Sequence, residues 1–111
     1  MFVFRYPENE PDLSPEEMQK IFEKWRTWID GMKARGRYVA GDPLEDEPGI
    51  VLRGLNGARM TDGPFAEAKE VVAGYVMIKA DNFAAATEFA KGCPALDLPG
   101  RSVEVRQIRP M

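Results

Sequence analysis

The segment from Leu13 to Gly36 constrains the fold more than any other part of this 111-residue chain. Ser14-Pro15-Glu16-Glu17 offers a serine N-cap, a proline at the first helical position and a glutamate at the third, so the orphan donors of a helix start find local acceptors. Leu13 and Met18 occupy the two positions of a hydrophobic staple. Met18, Ile21, Phe22, Trp25, Trp28, Ile29 and Met32 then recur at helical spacing and form one apolar stripe, roughly 120° wide with Trp25 at its centre. Lys33 and Arg35 suit the negative end of the helix dipole, and Gly36 suits the C-cap. A helix this amphipathic needs an apolar surface to lie on.

The flanking segments supply that surface as strands. Phe2 to Tyr6 is aromatic or β-branched apart from Arg5 and reads as a first strand. Tyr38-Val39-Ala40 reads as a short second strand, followed by a turn-rich stretch with Asp42-Pro43 and Glu47-Pro48-Gly49. Ile50 to Leu55 and Ala58 to Thr61 flank Asn56-Gly57, the strongest short hairpin signal. A two-residue turn there pairs residue 55 with 58, 53 with 60 and 51 with 62. Val51, Arg53, Leu55, Ala58, Met60 and Asp62 then share a face, with Arg53 and Asp62 as diagonal neighbours. Val71 to Lys79 is a long apolar strand. Asp81-Asn82 caps a second helix carrying Phe83, Ala86, Phe89 and Ala90, which Gly92 and Pro94 close. Ser102 to Ile108 is the last strand.

Without the hairpin, this order is βαββαβ. The expected fold is therefore a single α+β domain over residues 1–111, ferredoxin-like, with an inserted β-hairpin. A sheet covered on one face alternates apolar and polar residues, whereas Phe2-Val3-Phe4, Val71-Val72-Ala73 and Val76-Met77-Ile78 do not. Two helices cover one face, so a second sheet against the other is the simplest cover, and a homodimer with sheets face to face is expected.

Composition excludes several functions. The chain has no histidine and one cysteine. That removes the usual general base, the Ser/His and Cys/His pairs and the common zinc ligand sets, so no metal and no cofactor is expected. A lone cysteine fits a reducing, cytoplasmic setting. The net charge of −3 disfavours a nucleic-acid partner. No apolar run approaches the roughly 20 residues that span a bilayer, and the first six residues lack the pattern of a signal peptide, so no membrane association is expected.

Thr61-Asp62-Gly63-Pro64-Phe65-Ala66-Glu67-Ala68-Lys69-Glu70 resembles the signature of the DGPF branch of the YCII-related family. Arg53 before the Asn-Gly turn, Gly74-Tyr75, Cys93-Pro94 and Val103-Glu104-Val105-Arg106 extend the similarity over nearly the whole chain. The resemblance implies a dimeric α+β barrel. Relatives outside this branch are held to be small-molecule enzymes that use a histidine on the first helix and an aspartate before a proline after the second. Those positions fall on Trp25 and Cys93 here, so that catalytic pair is not available to this chain. Members of the branch are often encoded beside extracytoplasmic-function sigma factors, which implies a regulatory setting.

The candidate site residues each carry two readings. Asp62 is a base or ligand anchor tuned by Arg53, or it caps a turn in which Gly63 takes a positive φ and Pro64 starts a helical turn. Arg53 binds an anion or pairs with Asp62 across the hairpin. Tyr6 and Tyr75 present hydroxyls to a pocket or belong to core and interface. Trp25 is core or an apolar pocket wall. Cys93 is a buried structural thiol rather than a nucleophile, having no histidine to activate it. Glu67, Lys69 and Glu70 read as a mixed-charge surface, and the run from Asp42 to Glu47 as a solvated loop. Two functions follow: a small-molecule enzyme or binder with its ligand between helix, sheet and hairpin, in which Asp62 is catalytic and Arg53, Tyr75, Trp25 and Tyr6 bind the ligand, or a non-catalytic interaction module for a protein such as a sigma factor.

Overall fold

The local signals around Ser14 act as the sequence indicates. In a computed structural model of the protein, which describes residues 1–47, 49–62 and 70–111 and all their side chains except those of Thr61 and Asp62, helix α1 runs Pro15–Ala34. The Ser14 hydroxyl accepts the Glu17 N–H at 3.1 Å. At the other end Gly36 takes φ +68°, its N–H donates to the Lys33 carbonyl at 3.0 Å, and the Arg37 N–H reaches the Met32 carbonyl at 2.9 Å. That pair of bonds is a Schellman closure, which a residue with a Cβ would resist. Helix α2 spans Phe83–Lys91, with the Asn82 side chain accepting the Ala85 N–H at 2.8 Å.

The strands are β1 (Phe2–Pro7), β2 (Tyr38–Pro43), β3 (Ile50–Arg53), β4 (Arg59–Asp62), β5 (Glu70–Ile78) and β6 (Ser102–Val105). Four of them form one sheet in the order β2-β5-β1-β6, and β3 and β4 form a separate two-stranded ribbon. All three pairings in the larger sheet are antiparallel. Both helices lie on one face: Phe2, Phe4 and Val76 from the sheet pack with Met32 of α1 and Ala90 of α2, backed by Trp25, Trp28, Ile29, Phe89, Val103 and Val105. The Trp28 indole N–H donates to the Phe89 carbonyl at 3.1 Å and ties the helices together. This is the ferredoxin-like α+β arrangement with an added hairpin.

Three sequence expectations are corrected. Strand β2 continues through Gly41, Asp42 and Pro43 instead of turning after Ala40. It is an edge strand, where proline is tolerated at the end of a ladder. Strand β6 ends at Val105 rather than Ile108. The hairpin register differs by one residue: Ile50 pairs with Asp62, Val51 with Thr61, Leu52 with Met60 and Arg53 with Arg59. The cause is the connection, which is longer than two residues. Gly54 adopts φ +80°, a 3-10 turn covers Leu55–Gly57, and Asn56 and Gly57 take φ 59° and 69°. Because strand side chains alternate, that one-residue change regroups the ribbon, and Ile50, Leu52 and Met60 now share a face. The rest of the motif, from Gly63 to Lys69, lies outside the described residues, and so does the side chain of Asp62.

Candidate ligand-binding cleft

Helix α1 is only partly seated on the sheet. Its C-terminal half carries the buried Met32, while Met18 and Phe22 toward its N-terminus remain 43% and 60% exposed. Between that half of the helix and the β2–β5 side of the sheet lies a cleft of about 530 Å³. Its helix wall is Met18, Ile21, Phe22, Trp25 and Ile29, with Leu13 of the preceding connection beside them. Phe4 and Tyr6 of β1, Tyr38 of β2 and Leu44 add further apolar surface, and Asp42, Asp46 and Arg101 are the charged residues of the lining.

The space exists because the sheet is bare beneath the helix. Gly41 and Gly74 sit on adjacent strands in the floor. A Cβ on Gly41 would meet the Tyr75 carbonyl oxygen and a Val76 methyl, each at 2.9 Å, and the Tyr38 hydroxyl at 3.2 Å. A Cβ on Gly74 would lie 2.8 Å from the Asp42 carbonyl oxygen. Both glycines are therefore required by close packing of the strands, and the absence of side chains at these positions leaves the hollow.

Trp25 packs in the core and also borders the cleft. Its ring meets Phe4 edge to face at 5.1 Å and Trp28 at 5.5 Å, which fixes it as part of the core. Its remaining surface forms the cleft wall. Tyr6 stands at one end with the Arg101 guanidinium 3.7 Å from its ring centroid. Burial pushes the Tyr6 phenol above its ordinary pKa, partly countered by the charge of Arg101. At neutral pH Tyr6 is therefore a hydrogen-bond donor and not a base. Arg101 also grips Glu10 with two donors, Nε at 2.7 Å and Nη2 at 2.9 Å. Tyr75 lies at the rim. Its hydroxyl donates to Asp42 at 2.9 Å, and that bond raises the phenol's pKa.

Two of the residues singled out from sequence, Trp25 and Tyr6, thus come together at one cleft. Tyr75 only borders it, since it pairs with Val3 and Asp42 on the sheet face away from the helices. Arg53 is not among the lining residues; it lies on the hairpin opposite Arg59. The structure adds Arg101, Tyr38, Gly41 and Gly74. Of these, only Arg101 carries a formal charge, and its isolated position before the last strand gives no local signal of a site. Cys93 is 2% exposed, and its sulfur accepts the Ala95 N–H at 3.4 Å. Burial pushes its thiol up to about 12. It is structural, as its position at a helix end indicates.

A ferredoxin-like α+β domain with an apolar, arginine-tipped cleft on its helical side is thus the class that fold and site define. The chain belongs to the YCII-related family, whose domain model matches residues 1–111. No curated protein matches it. Among the described residues, no helix is long and apolar enough to cross a membrane.

Proposed function

We propose that this YCII-related protein binds a small organic molecule in the cleft beneath the N-terminal half of α1, as a cytoplasmic homodimer of the DGPF branch. The observation that carries the proposal is the cleft itself: an apolar hollow of about 530 Å³ with one guanidinium and one protonated phenol at its end. Ligand sites are commonly of this size and make-up, mostly apolar with a few convergent polar groups. The signature around Asp62 supports assignment to the branch. The dimer rests on the sheet face away from the helices, where Val3, Tyr75 and Met77 are half-buried and Val72 is 46% exposed.

Trp25 provides the test of the cleft. A panel of aromatic and aliphatic acids, alcohols and amides, screened by tryptophan fluorescence and thermal shift, should yield binders whose signal is reduced by Phe22→Ala. A panel that neither quenches fluorescence nor raises the melting temperature would overturn the reading. For the dimer, sedimentation at low micromolar protein should give twice the chain mass, and Met77→Glu should halve it.

A second reading rests on the hairpin. Ile50, Leu52 and Met60 are each more than 60% exposed, and Leu55 at the turn is 89% exposed. Apolar residues gathered on a projecting ribbon suit a protein partner, and a sigma factor is the candidate implied by the family resemblance. Leu52→Asp with Met60→Asp should abolish co-purification of such a partner from native expression and leave small-molecule binding intact.

A further inference from the structure

The placement of Arg101 and Glu10 narrows the ligand class, on the footing that the cleft is a ligand site. Arg101 lines the cleft, yet its side chain is only 11% exposed. The ring of Tyr6 at 3.7 Å holds the guanidinium plane in place. Stacking of this kind leaves the donors in the plane free to address an acceptor at the edge. The acceptor present is Glu10, 91 positions away in sequence and 24% exposed, held through both carboxylate oxygens at 2.7 and 2.9 Å. Glu10 comes from the connection between β1 and α1, outside any regular element. The arrangement is a carboxylate recognised bidentately by an oriented guanidinium, the geometry by which arginine selects planar anions.

The remainder of the lining indicates what would accompany such a head group. Leu13, Met18, Ile21, Phe22 and Trp25 form a continuous apolar wall, which asks for a hydrocarbon or aromatic body. Asp46 also lines the cleft and disfavours a second negative charge.

We propose that the cleft takes an amphipathic monocarboxylate whose head group replaces Glu10 on Arg101, so that the β1–α1 connection carries an internal competitor for the ligand. Binding exchanges one bidentate carboxylate for another at Arg101 and releases Glu10 to water. The competitor weakens binding of every carboxylate equally and leaves discrimination to the apolar wall.

Isothermal titration with naphthylacetate and naphthylacetamide at pH 7 tests this. The two probes share an apolar body and differ in head-group charge. The acid is expected to bind more tightly than the amide, with Arg101→Gln removing the difference. Because a hydrogen bond to a charged group contributes on the order of 1.5–3 kcal/mol, Glu10→Gln should tighten acid binding by about tenfold or more. The same variant should leave the amide unchanged. Equal binding of acid and amide to the native protein would overturn the head-group assignment while the cleft remained a ligand site. A preference for the acid that Glu10→Gln does not strengthen would overturn the exchange. Binding of neither probe nor of any member of the wider panel would remove the cleft reading and this inference together. The comparison of acid and amide on the native protein does not depend on any variant folding.

Discussion

The α-carbon of Gly74 approaches the Asp42 carbonyl so closely that a methyl group there would sit 2.8 Å from the oxygen. The obstacle is backbone on a neighbouring strand, with Pro43 Cα at 3.1 Å beside it, so no side-chain rotation relieves it. Gly74→Ala should therefore push β2 and β5 apart and destabilise the protein by about 1–3 kcal/mol, the range for overpacking a close-packed interior. Urea unfolding followed by tryptophan fluorescence measures it. The variant should also lose affinity for cleft ligands, because the added methyl fills the floor.

Gly31 gives the opposite sign. It lies inside α1, and a Cβ there would meet nothing within 4 Å. Alanine is the better helix former and restricts the unfolded chain, so Gly31→Ala should stabilise the protein by about 0.5–1 kcal/mol. The same urea titration applied to both glycine variants separates packing from propensity.

The Cys93 thiol should be inert in the native protein. Burial is the main cause that lifts its pKa from an ordinary 9.0 to about 12. At pH 8 a thiol reagent should label native protein slowly and denatured protein at once. Above pH 9 the unfolded chain releases this proton while the native chain keeps it. Stability from this group is therefore complete below pH 9 and lost as pH rises toward 12. Cys93→Ala should flatten that alkaline limb while lowering stability at neutral pH through the cavity it leaves.

Glu104 acts at the acid end. Its carboxylate accepts the Arg5 guanidinium at 2.6 Å across β1 and β6. That hydrogen bond is the chief cause holding its pKa below the ordinary 4.5. As pH falls through the ordinary carboxylate value, the unfolded state binds the proton first, so the contribution present above that pH is progressively lost. Melting temperature against pH should show a difference between native protein and Glu104→Gln at pH 7 that narrows below pH 4.5. Because both side chains are more than one-third exposed, added salt should narrow it as well.

The parts of the fold legible in the sequence are those set by near neighbours. Ser14, Gly36 and Asn82 declare the helix ends through bonds that span three to five residues. The apolar runs of β1 and β5 declare the centre of the sheet. The hairpin register was not legible. Asn56-Gly57 matches the two-residue turn signal, but Gly54 gives the chain another left-handed position two residues earlier, and the longer turn forms. The cleft was legible by half. Trp25 and Tyr6 follow from stripe and strand, whereas the roles of Gly41 and Gly74 arise from strand pairing and that of Arg101 from Tyr6 and Glu10. Those contacts exist only after the sheet has assembled.

Strand β1 lies between β5 and β6, so neither neighbour of the first strand exists until residues 70–105 have been made. On the ribosome, Phe2 and Phe4 must wait, with both hydrogen-bonding edges unclaimed, until β5 and β6 have been made. Local helix formation by α1 can proceed in that interval, but the sheet cannot close around its own beginning. The protein thus depends on late, long-range pairing, a route that is slow for its size and exposes an aromatic strand to other nascent chains. A chaperone that holds β1 until β5 and β6 have been made would guard the part of the molecule that later becomes its centre.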